Sequence, residues 1–185
     1  MTIQVYSQTL VPDLLLDHAS GRLYATPLAA GTATTVAMAA NKLYSVPFLV
    51  WKPTTYTVIG LEMTSATAGN FRLGIYNDGG SDAPGTLKLD AGAVALGSAA
   101  GFKSIAISQL LNPGWYHLAV VSDAAPTVRA STAANCLQWR GFTSGTDVTT
   151  KLIYSVAFTY AALPDPFTGG GALEAIAILR LMMGA

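Results

Sequence analysis

A proline–glycine pair set directly before an alternating run limits this chain more than any other feature. The run is Leu110-Leu-Asn-Pro-Gly-Trp-Tyr-His-Leu-Ala-Val-Val121. Proline pre-sets the first central residue of a type II turn, and glycine supplies the positive φ of the second. A strand then follows at once, with Tyr116, Leu118 and Val120 on one face and Trp115, His117 and Ala119 on the other. Phe71-Arg-Leu-Gly-Ile-Tyr76 alternates in the same way. Two alternating strands with this punctuation specify a β-sandwich.

Further runs extend the pattern. Leu43–Trp51 is broken by Pro47, which places it at a sheet edge or a bulge. Tyr56–Met63, Thr86–Leu96, Lys103–Leu110, Thr127–Ser131, Cys136–Phe142, Lys151–Phe158 and Leu173–Met183 complete the set. Turn residues separate them at Asn77-Asp-Gly-Gly80, Ala83-Pro-Gly85, Asn112-Pro-Gly114 and Gly169-Gly-Gly171. Eight or more short strands with no convincing long helix predict an all-β fold, a sandwich or barrel over residues 41–185.

Residues 1–40 read differently, as an extended N-terminal arm outside the core. Leu14, Leu15 and Leu16 are too few for a helix of their own and are expected to anchor the arm to a partner or to the domain's flank. At the other end, Leu173–Met183 is apolar on both faces apart from Glu174 and Arg180. A strand of that kind is covered on both sides. Ile176, Ile178, Leu179 and Leu181 are therefore expected to meet the core on one face and a neighbouring subunit on the other. A central strand in an ordinary core is the plainer alternative.

Composition bears on partners. Of 185 residues only 11% are charged, ten acidic and ten basic, while 51% are hydrophobic. An average soluble domain is roughly 25% charged. The balance leaves no net field for nucleic acid or an anionic membrane, and the scarcity of charge predicts a surface covered by neighbouring subunits. No stretch reaches the ~18 uncharged apolar residues of a membrane span, and the N-terminus lacks a signal peptide's basic start and apolar core. Synthesis in a cytoplasm without an encoded export route is the expectation.

The residues show no catalytic apparatus. Gly141-Phe-Thr-Ser-Gly145 has the wrong spacing for a nucleophile elbow. His117, beside Trp115 on its strand, reads as a surface or intersubunit histidine rather than a base. Glu62 and Glu174, the only glutamates, both fall on strands, a weak signal for glycoside hydrolysis. Two histidines and one cysteine, far apart and without ligand spacing, argue against a zinc site. Asp78-Gly-Gly-Ser-Asp82 offers loop oxygens for calcium but lacks the spaced acids and terminal glutamate of an EF-hand loop. The preferred reading is a turn with solvated aspartates and no cofactor.

Phe71-Arg-Leu-Gly-Ile-Tyr-Asn77, Ala83-Pro-Gly-Thr-Leu87 and Leu111-Asn-Pro-Gly-Trp-Tyr-His-Leu-Ala119 together resemble jelly-roll modules in virion proteins of tailed bacteriophages. The likeness runs from about Leu43 to Arg129. It implies a jelly-roll sandwich, usually a homotrimer displayed on a particle, and brings no catalytic residues. The short arm and the absence of a repetitive shaft suit a head decoration (cement or spike) protein bound to the major capsid protein, located on the virion head. The alternative is a tail-fibre module that recognises host surface polysaccharide, with Trp115 and Trp139 as glycan contacts.

Overall fold

The computed structural model describes residues 18–26, 33–80, 82–132, 153–168, 171–174 and 177–185. Thirteen strands lie in these residues: β1 (Leu23–Ala25), β2 (Thr34–Ala37), β3 (Lys42–Val50), β4 (Thr54–Met63), β5 (Asn70–Asp78), β6 (Pro84–Ala95), β7 (Gly101–Leu111), β8 (Gly114–Ser122), β9 (Thr127–Ser131), β10 (Ile153–Ala157), β11 (Ala172–Glu174), β12 (Ile178–Leu179) and β13 (Leu181–Gly184).

All strand pairs are antiparallel, and they sort into two sheets. One holds β2, β9, β4 and β7 in that order; the other holds β3, β8, β5 and β6. Eight consecutive strands dealt between two sheets in this way are a jelly roll. The remaining strands extend it. β10 and β11 widen the second sheet beyond β3. β13 lies against β4, with β1 outside it, while β12 pairs with β9.

Alternation explains the packing. Tyr44, Val46 and Phe48 of β3, Phe71, Leu73 and Ile75 of β5, and Leu118 and Val120 of β8 point inward. They meet Tyr56, Ile59, Leu61 and Met63 of β4 and Val128 of β9. These side chains are almost wholly sealed from solvent, so a one-residue slip of any strand would put its apolar set in water. Pro47 faces His117 across the β3–β8 ladder, two residues past Ser45, where pairing with β10 stops among the described residues. Among those residues that side of β3 is an edge beyond Ser45, and a proline is tolerated there. Gly114 has a positive φ of 151° as the first residue of β8, more extended than the roughly +80° of the type II turn expected there.

Two expectations need correction. Part of the segment assigned to an arm belongs to the sandwich: β1 and β2 are paired in the first sheet, and Met38 is only 2% exposed. Thr26 is also buried, its hydroxyl donating to the Leu181 carbonyl and accepting from the Leu181 N–H, each at 3.1 Å. Nor is Leu173–Met183 one strand. It begins as β11 in the second sheet and ends as β12 and β13 in the first. Ile178, Leu179 and Leu181 are at most 1% exposed within a single chain, so they are core residues and not subunit or capsid contacts. The segment thus belongs to both sheets, and its second half is apolar because it lies in the core. Cys136–Phe142 lies outside the described residues.

Candidate functional site

The two outward sheet faces differ, and that difference is the main functional feature. The outer face of the second sheet is closed by the chain itself. Residues 158–168 run from the end of β10 across β3, β8 and β5 to β6. The Phe158 N–H donates to the Asn41 carbonyl, and the Tyr160 N–H to the Asn41 side chain, both at 2.9 Å. Leu163 sits over Gly74, where an added Cβ would fall 2.3 Å from a Leu163 methyl. Its N–H donates to Asp90 at 3.0 Å, and Asp90 also holds Arg72 through three short contacts. The Tyr76 hydroxyl donates to the Pro164 carbonyl at 2.8 Å, and the Leu87 N–H to Asp165 at 2.9 Å. Phe167 packs edge-on against Tyr76 at 5.2 Å. Together Leu43, Tyr76, Ala119, Val121, Leu163 and Phe167 form a second, smaller core beneath this strap.

The outer face of the first sheet has no such cover among the described residues. Register places Leu23, Gly184, Val58 and Ala106 in one row across β1, β13, β4 and β7, and Ala25, Met182, Gly60 and Ser104 in the next. Phe102 lies over Gly60, where its ring would meet an added Cβ at 2.7 Å. Leu23 is 48% exposed and Phe102 39%. On the β4, β7 and β13 part of this face the one charged side chain is Glu62, clamped by Arg129 through bonds of 3.0 and 2.7 Å. That bond holds the Glu62 carboxyl below its ordinary value of 4.5. A glutamate held ionised in this way is no general acid. Apart from that pair this part of the face is uncharged, with glycines, alanines and serines between larger apolar side chains. Such patches mark interaction surfaces.

His117 departs from the surface position expected for it. It is wholly buried on the strap side of the second sheet. One ring nitrogen, Nδ1, lies 3.2 Å from Ser45 Oγ, and Nε2 lies 3.3 Å from Asp78 Oδ1. A serine, a histidine and an aspartate in line resemble a hydrolase relay. Yet Ser45 and His117 are both 0% exposed, so no substrate reaches the hydroxyl. The arrangement ties β3, β8 and β5 together as a satisfied buried network. His117→Ala should therefore cost about 2–3 kcal/mol, because Ser45 loses its partner in a sealed site. Asp78→Asn, at a side chain one-third exposed, should cost under about 1 kcal/mol. Urea unfolding midpoints of the two variants check this order.

The remaining sequence candidates scatter. Trp115 is 37% exposed at the start of β8. Leu14, Leu15, Leu16, Trp139 and Ile176 lie outside the described residues. Asp78, read as a solvated turn aspartate, instead accepts from the Gly80 N–H and faces His117. No group of three or more potential metal ligands occurs among the described residues. One open depression is lined by Ala66, Thr67, Ala68, Gly69, Gly97 and Ser98, with no ionisable side chain. Sequence reasoning missed the strap and the Ser45–His117–Asp78 relay. Only Leu163-Pro-Asp-Pro-Phe167, apolar and stiffened by two prolines, hinted at the first. No family model matches the chain, and no curated protein or solved structure matches it.

Proposed function

We propose that this chain is a non-catalytic structural protein of a phage particle, a jelly-roll decoration protein that seats on the head and reinforces it. The observation that carries the reading is the open, neutral outer face of the first sheet, opposite a second sheet whose own outer face is sealed by the strap. Among the described residues the chain covers one face and not the other, and a broad apolar sheet face suits another protein's surface better than a small ligand. The low charge of the whole chain fits the same use. The homotrimer is what the resemblance implies; the apolar C-terminal segment, read as fitting it, is buried in the single chain, and the reading assigns subunit and shell contacts to the outer face of the first sheet.

The exposure of Trp115 supports a second reading, a receptor-binding module whose aromatic rings stack on sugar. Immunogold labelling of intact particles separates the two. Gold across the heads, lost when Leu23→Glu or Met182→Glu places a charge on the open face of a folded protein, is the expected result. Gold confined to the tail tip transfers the protein to receptor binding. Particles that carry no label at all overturn both.

A further inference from the structure

We propose that two copies of this chain join edge to edge through β7, antiparallel about a two-fold axis at Ala106, so that the first sheet runs unbroken from one copy into the other. This inference is independent of the virion reading.

The starting observation is how the sheet edges are guarded. A free edge presents unpaired N–H and C=O groups, and proteins blunt such edges with short strands, proline, lysine or bulges. Most of the edges here follow that rule. β1 and β11 have three residues each, β2 has four and β12 two. β6 is long, but it opens on Pro84, carries an exposed Lys88, and breaks register with β5 in three places.

β7 is different. It spans eleven residues, pairs only with β4 among the described residues, and contains no proline. Its lone charge, Lys103, falls on the inward row with Ile105 and Ile107. The register with β4 shifts once, between Tyr56 and Val58, yet the in–out alternation of β7 continues through that point. β7 thus carries one bulge, where it has a residue more than β4, and one inward lysine, but no proline and no charge on its outward row, and its eleven residues leave a long edge open to pairing.

The outward row identifies the occupant. It reads Phe102, Ser104, Ala106, Ser108, Leu110, and it is nearly the same in both directions. Antiparallel pairing about Ala106 sets Phe102 against Leu110, Ser104 against Ser108, and Ala106 against its own copy. Large apolar groups meet at the ends, hydroxyls meet between them, and the smallest side chain sits on the axis. Phe102 and Leu110 are 39% and 54% exposed in the single chain, two of the four exposed large apolar side chains among the described residues. Self-complementarity about a two-fold axis is what an isologous interface requires, and cross-strand pairs of these kinds favour the register.

Directly opposed residues in an antiparallel pair have Cα atoms about 4.5–5.5 Å apart, within the reach of a disulfide, about 4.4–6.8 Å. The test therefore uses the full chain in a Cys136→Ser background, which removes the only native cysteine. Ala106→Cys should oxidise to a disulfide-linked dimer. Ser104→Cys alone should not, while Ser104→Cys mixed with Ser108→Cys should. Sedimentation across a dilution series should show a dimer for the unaltered chain. Ala106→Glu, which opposes two like charges on the axis, should give a monomer with unchanged circular dichroism. A chain that is monomeric throughout, or a dimer that survives Ala106→Glu and whose Ala106→Cys form does not cross-link, overturns the proposal. Should Ala106→Glu fail to fold, the cysteine pattern still decides: cross-linking at Ser104 alone means a different register and sinks the palindromic pairing.

Discussion

Phe167→Ala is expected to destabilise the protein by about 3–5 kcal/mol, the range for removing a buried aromatic ring. Phe167 is 2% exposed and stands edge-on to Tyr76, itself fully buried. The ring is the far anchor of the strap, and its own N–H donates to the Gly85 carbonyl at 2.9 Å. Between the two ends of the strap, polar bonds of ordinary length contribute only about 0.5–1.5 kcal/mol each. They cannot hold eleven residues on a sheet once the apolar contact is gone. A typical domain has only about 5–15 kcal/mol in total, so the loss is a large fraction of the whole. Urea unfolding gives the change in stability, and hydrogen exchange at the Leu87, Leu163 and Phe167 amides reports on the strap itself. Early exchange at those three amides together with a lowered midpoint is expected. Retained protection and an unchanged midpoint would mean that the strap is held by something other than this ring.

The strap also shows where sequence stops being informative. Alternation along Tyr56–Met63, Phe71–Tyr76 and Trp115–Val121 was readable because inward and outward residues differ in kind within one short window. Turn residues then set the strand order closely enough to imply a sandwich, and the resemblance named a jelly roll. What covers each outer face was not readable. Leu163 meets Gly74 and Asp90, and Phe167 meets Tyr76 and Gly85, contacts separated by about half the chain. No local pattern encodes a partner at that distance.

The same limit explains two of the misplaced elements. His117 shares its strand face with Trp115, which is exposed, so the sequence placed both at the surface. The histidine lies two residues further in, where Ser45 and Asp78 give both ring nitrogens a partner. A buried polar side chain is legible only when its partners are known. Leu173–Met183 was apolar on both faces for a reason that periodicity does not express. The segment changes sheets, and the outward residues of its last strand, Met182 and Gly184, join the open face. Candidate contacts assigned to Ile178, Leu179 and Leu181 thus move one position, to Met182, and across the sheet to Leu23, Val58 and Phe102.

Alkaline unfolding should begin just above pH 10, steeply, and should be driven by two tyrosines. Burial pushes the hydroxyls of Tyr56 and Tyr76 well above their ordinary value of 10.0. The nearby carboxylates Asp90 and Asp165 add to the effect at Tyr76, while a bond from Thr54 opposes it at Tyr56. A group whose folded value is raised keeps its proton in the native state after the unfolded chain has lost it. Its contribution is complete below about pH 10 and is lost as the pH climbs toward the folded value. Each such tyrosine then removes up to ~1.4 kcal/mol per pH unit, so the pair removes up to about 4 kcal/mol between roughly pH 10 and 11.5. That approaches the whole stability of a marginal domain, and the fold should open before either ring ionises in place. Near-UV absorbance should therefore show the exposed tyrosines titrating first, with Tyr56 and Tyr76 appearing only as circular dichroism is lost. Tyr76→Phe, which also gives up the bond to Pro164, should cost about 1 kcal/mol at neutral pH and halve the steepness of the alkaline limb. Reversible ionisation of every tyrosine near pH 10 with the fold intact would show that these two rings are not sealed, and with them neither the core beneath β3 and β4 nor the strap.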